Sequence, residues 1–354
     1  MNFELVDKIA RAVLYEGYML YPYRPSAVKN RQRWNFGVLY PRAYSALQSG
    51  SDASSMRTEC LIEARSGAKL QVKVQFLQMI ARSIGRLPSP ISELPADGLP
   101  EFQLVERLEV EGRIFQPWQE AIEREISLPL CDLSELAGQS FLQPFSFAAE
   151  NRVEAIRDAG GEIVGIIIRR QESLSGEIVL SAVSAGTDMF KTVVEIRNTI
   201  PWRDSKAGDR EQALLSSLVS THTVLGLQEG SFVSLLDPPE AFRELAATCA
   251  NSGTWPVLVG ENGGRDTMLS SPIILYDYPQ IAPESAGDLF DGTEIDEILS
   301  LRIMTLTDEE KREVRQSDDR ARQILERTET MPAEQLMKLH GILRGLRPVK
   351  EVVD

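Results

Sequence analysis

The chain has 354 residues, 43% of them apolar and 25% charged, with a formal charge of −14. Those fractions suit a soluble globular protein long enough for two or three domains. The acidic balance argues against general binding to nucleic acid or to anionic membranes. No apolar run approaches the ~20 residues of a membrane span. The opening MNFELVDKIA carries early acids and no apolar secretory core, so no signal is expected. Three distant cysteines (Cys60, Cys131, Cys249) and only two histidines give no zinc-ligand spacing. The expectation is a cytoplasmic chain with reduced thiols, no membrane span, no metal and no cofactor.

In chain order, Leu5, Ile9, Val13 and Leu14 have the spacing of a short amphipathic helix. Next comes a run in which Arg24, Lys29, Arg31 and Arg33 sit among Tyr18, Tyr21, Tyr23 and Trp34. Residues 1–44 hold seven bases against three acids, and residues 288–330 hold thirteen acids against seven bases. The two ends carry opposite fields. Interleaved bases and aromatics can bind single-stranded nucleic acid or a small anion, form a protein interface, or pair internally with the acidic end. The sequence leaves these open, although the overall charge weighs against nucleic acid.

From Arg57 to Ile80 apolar and polar residues alternate, with Thr58, Cys60, Ile62 and Ala64 before Ser66-Gly67 and Leu70, Val72, Val74 and Phe76 after it. The pattern predicts a half-buried β-hairpin turning at Ser66-Gly67 with Cys60 inward. Residues 86–104 read as a surface loop. A short helix is expected from Trp118, and further strands at 108–115, 145–149, 161–169, 176–183 and 189–200. Successive strands with short turns point to an antiparallel sandwich or barrel-like domain over 1–205.

From 206 to 304 the pattern suggests a small α/β unit. Residues 210–221 and 239–250 show helical spacing, and 232–236, 255–259 and 272–276 read as strands. Between the last two strands, Gly260-Glu-Asn-Gly-Gly-Arg-Asp supplies a turn without the spacing or lysine of a phosphate loop. Asp288, Asp291, Glu294, Asp296 and Glu297 form an acidic run that could meet a hard cation, or a solvated face. Residues 305–354 form a helical tail, opened by the capping box Thr307-Asp-Glu-Glu310. Asp308/Arg312 and Asp318/Arg322 are spaced as i,i+4 pairs. The thin stripe Val314, Ala321, Ile324 and Leu325 predicts an exposed helix. Pro332 opens a second helix carrying His340. The fold class is therefore α+β.

GxSxG, HExxH and CxxC are absent. His222 sits in Ser220-Thr-His-Thr at the expected end of a helix, where it could cap. With Asp237, Glu261, Asp266 and Asp277 brought near it by the fold, it would be the one acid–base cluster the chain offers.

Several long phrases go further: LYEGYMLYPYRPSAVKNRQRW (14–34), RTECLIEA (57–64), SLVSTHTVL (217–225), SFVSLLDPP (231–239), the stretch 253–299 and TLTDEEK (305–311). Together they resemble a bacterial protein family encoded beside high-affinity, oxygen-tolerant uptake nickel–iron hydrogenases. The resemblance covers nearly the whole chain and carries no catalytic residues. It implies a hydrogenase accessory protein, acting in assembly, maturation or scaffolding by binding a hydrogenase subunit or maturation factor. The contact surface would draw on Tyr21, Tyr23, Arg24, Lys29, Arg31, Arg33 and Trp34, together with Arg265, Asp266, Tyr276 and Tyr278. The alternative is an enzyme acting on a small anionic substrate through His222, Asp266 and Asp277. Geometry separates the two, because three residues that lie apart cannot share a substrate. Oligomeric state is not readable from the sequence.

Overall fold

The computed structural model describes residues 3–20, 22–24, 27, 30, 35–49, 52–202, 210–261, 263–281, 296–317 and 319–332. Its strands are β1 (Ser55–Ile91), β2 (Gln103–Val105), β3 (Leu108–Val110), β4 (Arg113–Phe115), β5 (Trp118–Ser127), β6 (Cys131–Asp132), β7 (Phe141–Phe147), β8 (Glu150–Arg157), β9 (Ile163–Gln171), β10 (Leu174–Gly186), β11 (Met189–Asn198), β12 (Val219–Val233), β13 (Trp255–Leu258) and β14 (Thr267–Ser271). Its helices are α1 (Phe3–Leu14), α2 (Arg42–Leu47), α3 (Leu133–Gly138), α4 (Arg210–Leu215), α5 (Arg243–Ala246), α6 (Asp296–Met304), α7 (Asp308–Ser317) and α8 (Asp319–Glu329). Antiparallel sheet dominates, curled into a half-barrel, with helices towards the C-terminus. This is the α+β class expected.

The expected hairpin at Ser66-Gly67 does not form. Residues 55–91 are one strand, and β12 pairs with both halves of it, from Leu61↔Val233 to Leu77↔Val219. The register shifts between Ala64 and Lys69 and Gly67 takes φ +92°, so the turn-prone residues are absorbed as an irregularity that bends the strand. Alternation survives on both sides of the bend: Cys60, Ile62, Leu70, Val72, Val74 and Phe76 all point into the core. One edge of β1 meets β11, β6, β5 and β2 in turn, and the other meets β12 and then β9. The main path runs β13-β14-β12-β1-β11-β10-β7. Strands on both sides of residue 205 therefore share one sheet.

Three other expectations change. Trp118–Ser127 is a strand, not a helix, because ten residues of β1 offer it a ladder from Lys73↔Ser127 to Arg82↔Trp118, and tertiary pairing overrides a weak local preference. The helix expected over 210–221 ends at Leu215, and that over 239–250 shrinks to a 3-10 turn (Glu240–Phe242) followed by α5. The second strand of the 253–276 region is Thr267–Ser271, and 272–276 lies outside the ladder. The glycine-rich stretch does turn β13 back onto β14 as an antiparallel pair.

One sheet face packs α1, through Val6, Ile9 and Ala10, against Val224, Val257 and Leu269. Beside it Tyr15, Tyr18 and Tyr23 join Leu77, Trp118, Leu299, Val314, Ile324 and Leu325 in a second cluster. The tail helices thus bury one face instead of lying free. Their thin stripe is narrow, but all four of its residues are buried because aromatic side chains from the N-terminal segment cover it. The capping box forms as expected: Glu310 Oε2 accepts from the Thr307 amide at 2.9 Å, and Thr307 Oγ1 accepts from the Glu310 amide at 3.3 Å. The opposite charges of the two ends also meet. Arg24 pairs with Glu310 at 3.0 Å and Glu313 at 3.7 Å, and Arg320 stacks over the Tyr15 ring 3.9 Å from its centroid. Asp318, the helix expected after Pro332 and His340 lie outside the described residues.

The stretch before β13 is stitched back to β1. Arg57 and Ser252 exchange backbone hydrogen bonds of 3.1 and 2.9 Å. The Glu59 carboxylate meets Lys191 at 2.6 Å, Arg57 at 2.5 Å and the Ala250 amide at 2.9 Å. Burial alone would raise this carboxyl, but Lys191, the Ala250 amide and Arg57 together lower it.

Gly37 stands where the chain before α2 passes β12. Its φ is +51°, and a Cβ there would lie 2.5 Å from Pro272 Cβ and 3.2 Å from the Thr221 nitrogen. Gly37→Ala is expected to cost about 2–4 kcal/mol, from left-handed backbone strain plus overpacking. Gly161→Ala, at φ +83° with nothing within 4 Å, should cost only about 1 kcal/mol. Chemical-denaturation midpoints of the two variants would show the difference.

Candidate functional site

His222 lies inside β12, not at a helix end. Ser220 takes φ +54° and the register against β1 shifts between Gln75 and Leu77, so the strand is irregular just before the histidine. The ring is fully buried, with Nδ1 2.7 Å from the Ser220 carbonyl and Nε2 3.2 Å from Ser271 Oγ. A carbonyl can only accept, so Nδ1 carries the proton and Nε2 accepts from the serine hydroxyl. Burial lowers the His222 pKa to about 4. At neutral pH the ring is uncharged and both its nitrogens are occupied.

The two acids proposed to work with it are elsewhere. The Asp266 carbonyl accepts from the Leu227 amide, five residues along β12 from His222, or roughly 17 Å of strand. Its carboxylate accepts from Thr267 Oγ1 at 3.1 Å. Asp277 lies beyond β13: Oδ1 accepts from the Leu258 amide at 2.8 Å and Oδ2 from Ser234 Oγ at 2.5 Å. Leu258 is two strands away from β12, since it faces Met268, which faces Leu225. Asp277 thus serves as a brace between two loops. His222, Asp266 and Asp277 do not form an acid–base cluster.

The proposed contact residues divide as well. Tyr21, Lys29, Arg31, Arg33 and Trp34 lie outside the described residues. Tyr23 is 1% exposed and belongs to the aromatic core, so it is a packing residue and not a contact. Arg24 is engaged by the acidic tail. Arg265 is partly exposed and lies 3.8 Å from Glu63. The Tyr278 ring is half-buried against the main core, and its amide donates to the Leu258 carbonyl at 2.7 Å.

Tyr276 differs from these, being 86% exposed. Ile274, 70% exposed, stands two residues before it. The reading of PIILY as a buried strand missed Ile274, along with Trp255 and Leu236, which are also exposed. The run has the right composition for a strand, but among the described residues no strand pairs with it. Leu275 turns inward onto the α1 cluster, while Ile274 and Tyr276 turn outward. The segment is held at both ends, by Pro272 against Gly37 and by Asp277 and Tyr278 on Leu258.

Among the described residues no group of three or more His, Cys, Asp or Glu side chains could hold a metal ion. The acidic run at 288–294 lies outside them. No helix of the described residues is long and apolar enough to cross a membrane. Cys60, Cys131 and Cys249 are free thiols, and Cys60 is buried as its register implied; burial pushes that thiol up. No family model matches this chain, and no curated protein matches it.

Because the folded His222 titrates near 4 and an unfolded histidine near 6.5, acid favours the unfolded chain. The stability contributed by neutral His222 is complete above pH 6.5 and falls as pH drops towards 4. The loss totals about 3 kcal/mol. Urea midpoints followed from pH 7 to 4 should fall more steeply for the wild type than for His222→Gln; parallel curves would contradict the assignment.

Proposed function

We propose that the protein is a non-enzymatic accessory protein that binds a nickel–iron hydrogenase subunit or maturation factor during assembly in the cytoplasm. Two lines support this. The phrases that resemble the hydrogenase-associated family come from both ends of the chain and from the first part of β1. They include the β12 core and the β13–β14 hairpin with its following segment, where an outward apolar surface is found. The acid–base residues that an enzymatic reading needs are separated, and each is engaged in holding strands or loops together.

The observation that carries the proposal is the outward pair Ile274 and Tyr276, exposed on a segment fixed at both ends. Large apolar side chains held in water at a defined place mark interaction sites more often than catalytic ones. A contact of this kind needs no cofactor.

The test mixes the purified protein in turn with the hydrogenase large-subunit precursor, the small subunit and each maturation factor from the same host. Size-exclusion chromatography and calorimetry then read the outcome. The expected result is co-elution with at least one of them at a Kd of about 1 μM or tighter. Failure to bind any of them overturns the proposal.

A further inference from the structure

We propose that the face formed by Ile274 and Tyr276, with Leu236 beside it, receives an extended, basic, apolar peptide segment of the partner. This rests on the accessory reading for the existence of a protein partner and adds the chemistry of the contact.

The residues come from segments tied to one another. β13 ends the main path of the sheet. Residues 272–278 return past it, from Ser271 opposite Trp255 to Tyr278 on the Leu258 carbonyl. Ser234 Oγ reaches Asp277 and also accepts from the Leu236 and Asp237 amides at 3.2 and 2.9 Å. That places Leu236 beside the same loop. Leu236, Ile274 and Tyr276 are all exposed. Ile274 and Tyr276 are two residues apart and point the same way, the spacing at which an extended peptide presents alternate side chains.

Charge selects the occupant. Residues 229–281 contain seven acids and two bases, Arg243 and Arg265, with no lysine. Both arginines already have carboxylate neighbours, Glu240 at 2.6 Å and Glu63 at 3.8 Å. Asp237, next to Leu236, and Glu261, three residues past Leu258, are both exposed, and the whole chain carries −14. Such a rim attracts a basic segment over its whole approach and repels an acidic one. The face of the Tyr276 ring adds a site for an arginine or lysine. A peptide with lysine or arginine between apolar anchors satisfies both features at once.

The experiment selects from a phage-displayed library of random peptides of about 12 residues, long enough to span the segment, against the immobilised full-length protein. Fluorescence anisotropy of the labelled, enriched peptides then gives their affinities. Enrichment of basic peptides with apolar residues at alternate positions is expected. The double variant Ile274→Ser/Tyr276→Ser should weaken them about tenfold or more, with its thermal midpoint unchanged. Asp237→Asn/Glu261→Gln should weaken them less and flatten the salt dependence. No enrichment, enrichment of acidic or neutral peptides, or equal binding by the serine variant overturns the proposal. The two readings fail separately. Peptides that bind here while no hydrogenase protein binds would remove the hydrogenase partner and leave the surface. A hydrogenase protein that binds the serine variant as well as wild type would remove the surface and leave the partner.

Discussion

The backbone of β1 is the constraint on which the rest depends. A strand of 37 residues exposes amide and carbonyl groups along two edges, and leaving them unpaired inside a core is costly. Six other strands satisfy them. Two polar side chains of its second half, Gln78 and Arg82, are held by the same neighbours. Gln78 donates to the Glu172 carbonyl and accepts from Arg124, both at 2.8 Å. Arg82 meets Glu120 at 3.1 Å, and that carboxylate also holds Arg169 at 2.7 Å. The sheet folds as one piece because its strands share a single template.

That arrangement decides what β12 can do. The strand lies between β1 and β14, with α1 over one face and the main core on the other. A histidine placed there is enclosed whatever its chemistry, and its neighbours are Ser271 and a carbonyl instead of a carboxylate. The hydroxyls of Thr58, Ser270 and Thr254 form a similar buried chain, with contacts of 2.8 and 2.7 Å. These polar groups tie strands together. Surface available to a partner is found instead at the sheet's end, beyond β13, where the chain has left the ladder.

The legible parts of this fold were those fixed by neighbours in sequence. Alternation around Cys60 and Val72 gave strands with the correct inward face, and Thr307 with Glu310 gave a helix start. Opposite charge at the two ends anticipated the pairing of Arg24 with Glu310. The failures were matters of who pairs with whom. Ser66-Gly67 looks the same in a turn as in a bulge, and only β12 on the far edge keeps the strand running. WQEAIEREIS has no local reason to be extended until β1 lies beside it. PIILY has strand composition but, among the described residues, no strand beside it. The stripe Val314, Ala321, Ile324 and Leu325 looked too thin to bury because the tyrosines covering it lie some 300 residues earlier. For the site, the exposure of Tyr276 was hidden in a run with the composition of a buried strand, and the separation of His222, Asp266 and Asp277 depended on strand order.

We have proposed that the sheet built on β1 presents the 272–281 segment to a hydrogenase protein. Amide hydrogen exchange of the full-length protein, alone and with the hydrogenase large-subunit precursor or the maturation factor it binds, tests this most directly. Slow exchange is expected along β1 in both states, with new protection at 234–237 and 272–281 on binding. New protection at another face, with these segments unchanged, would contradict it.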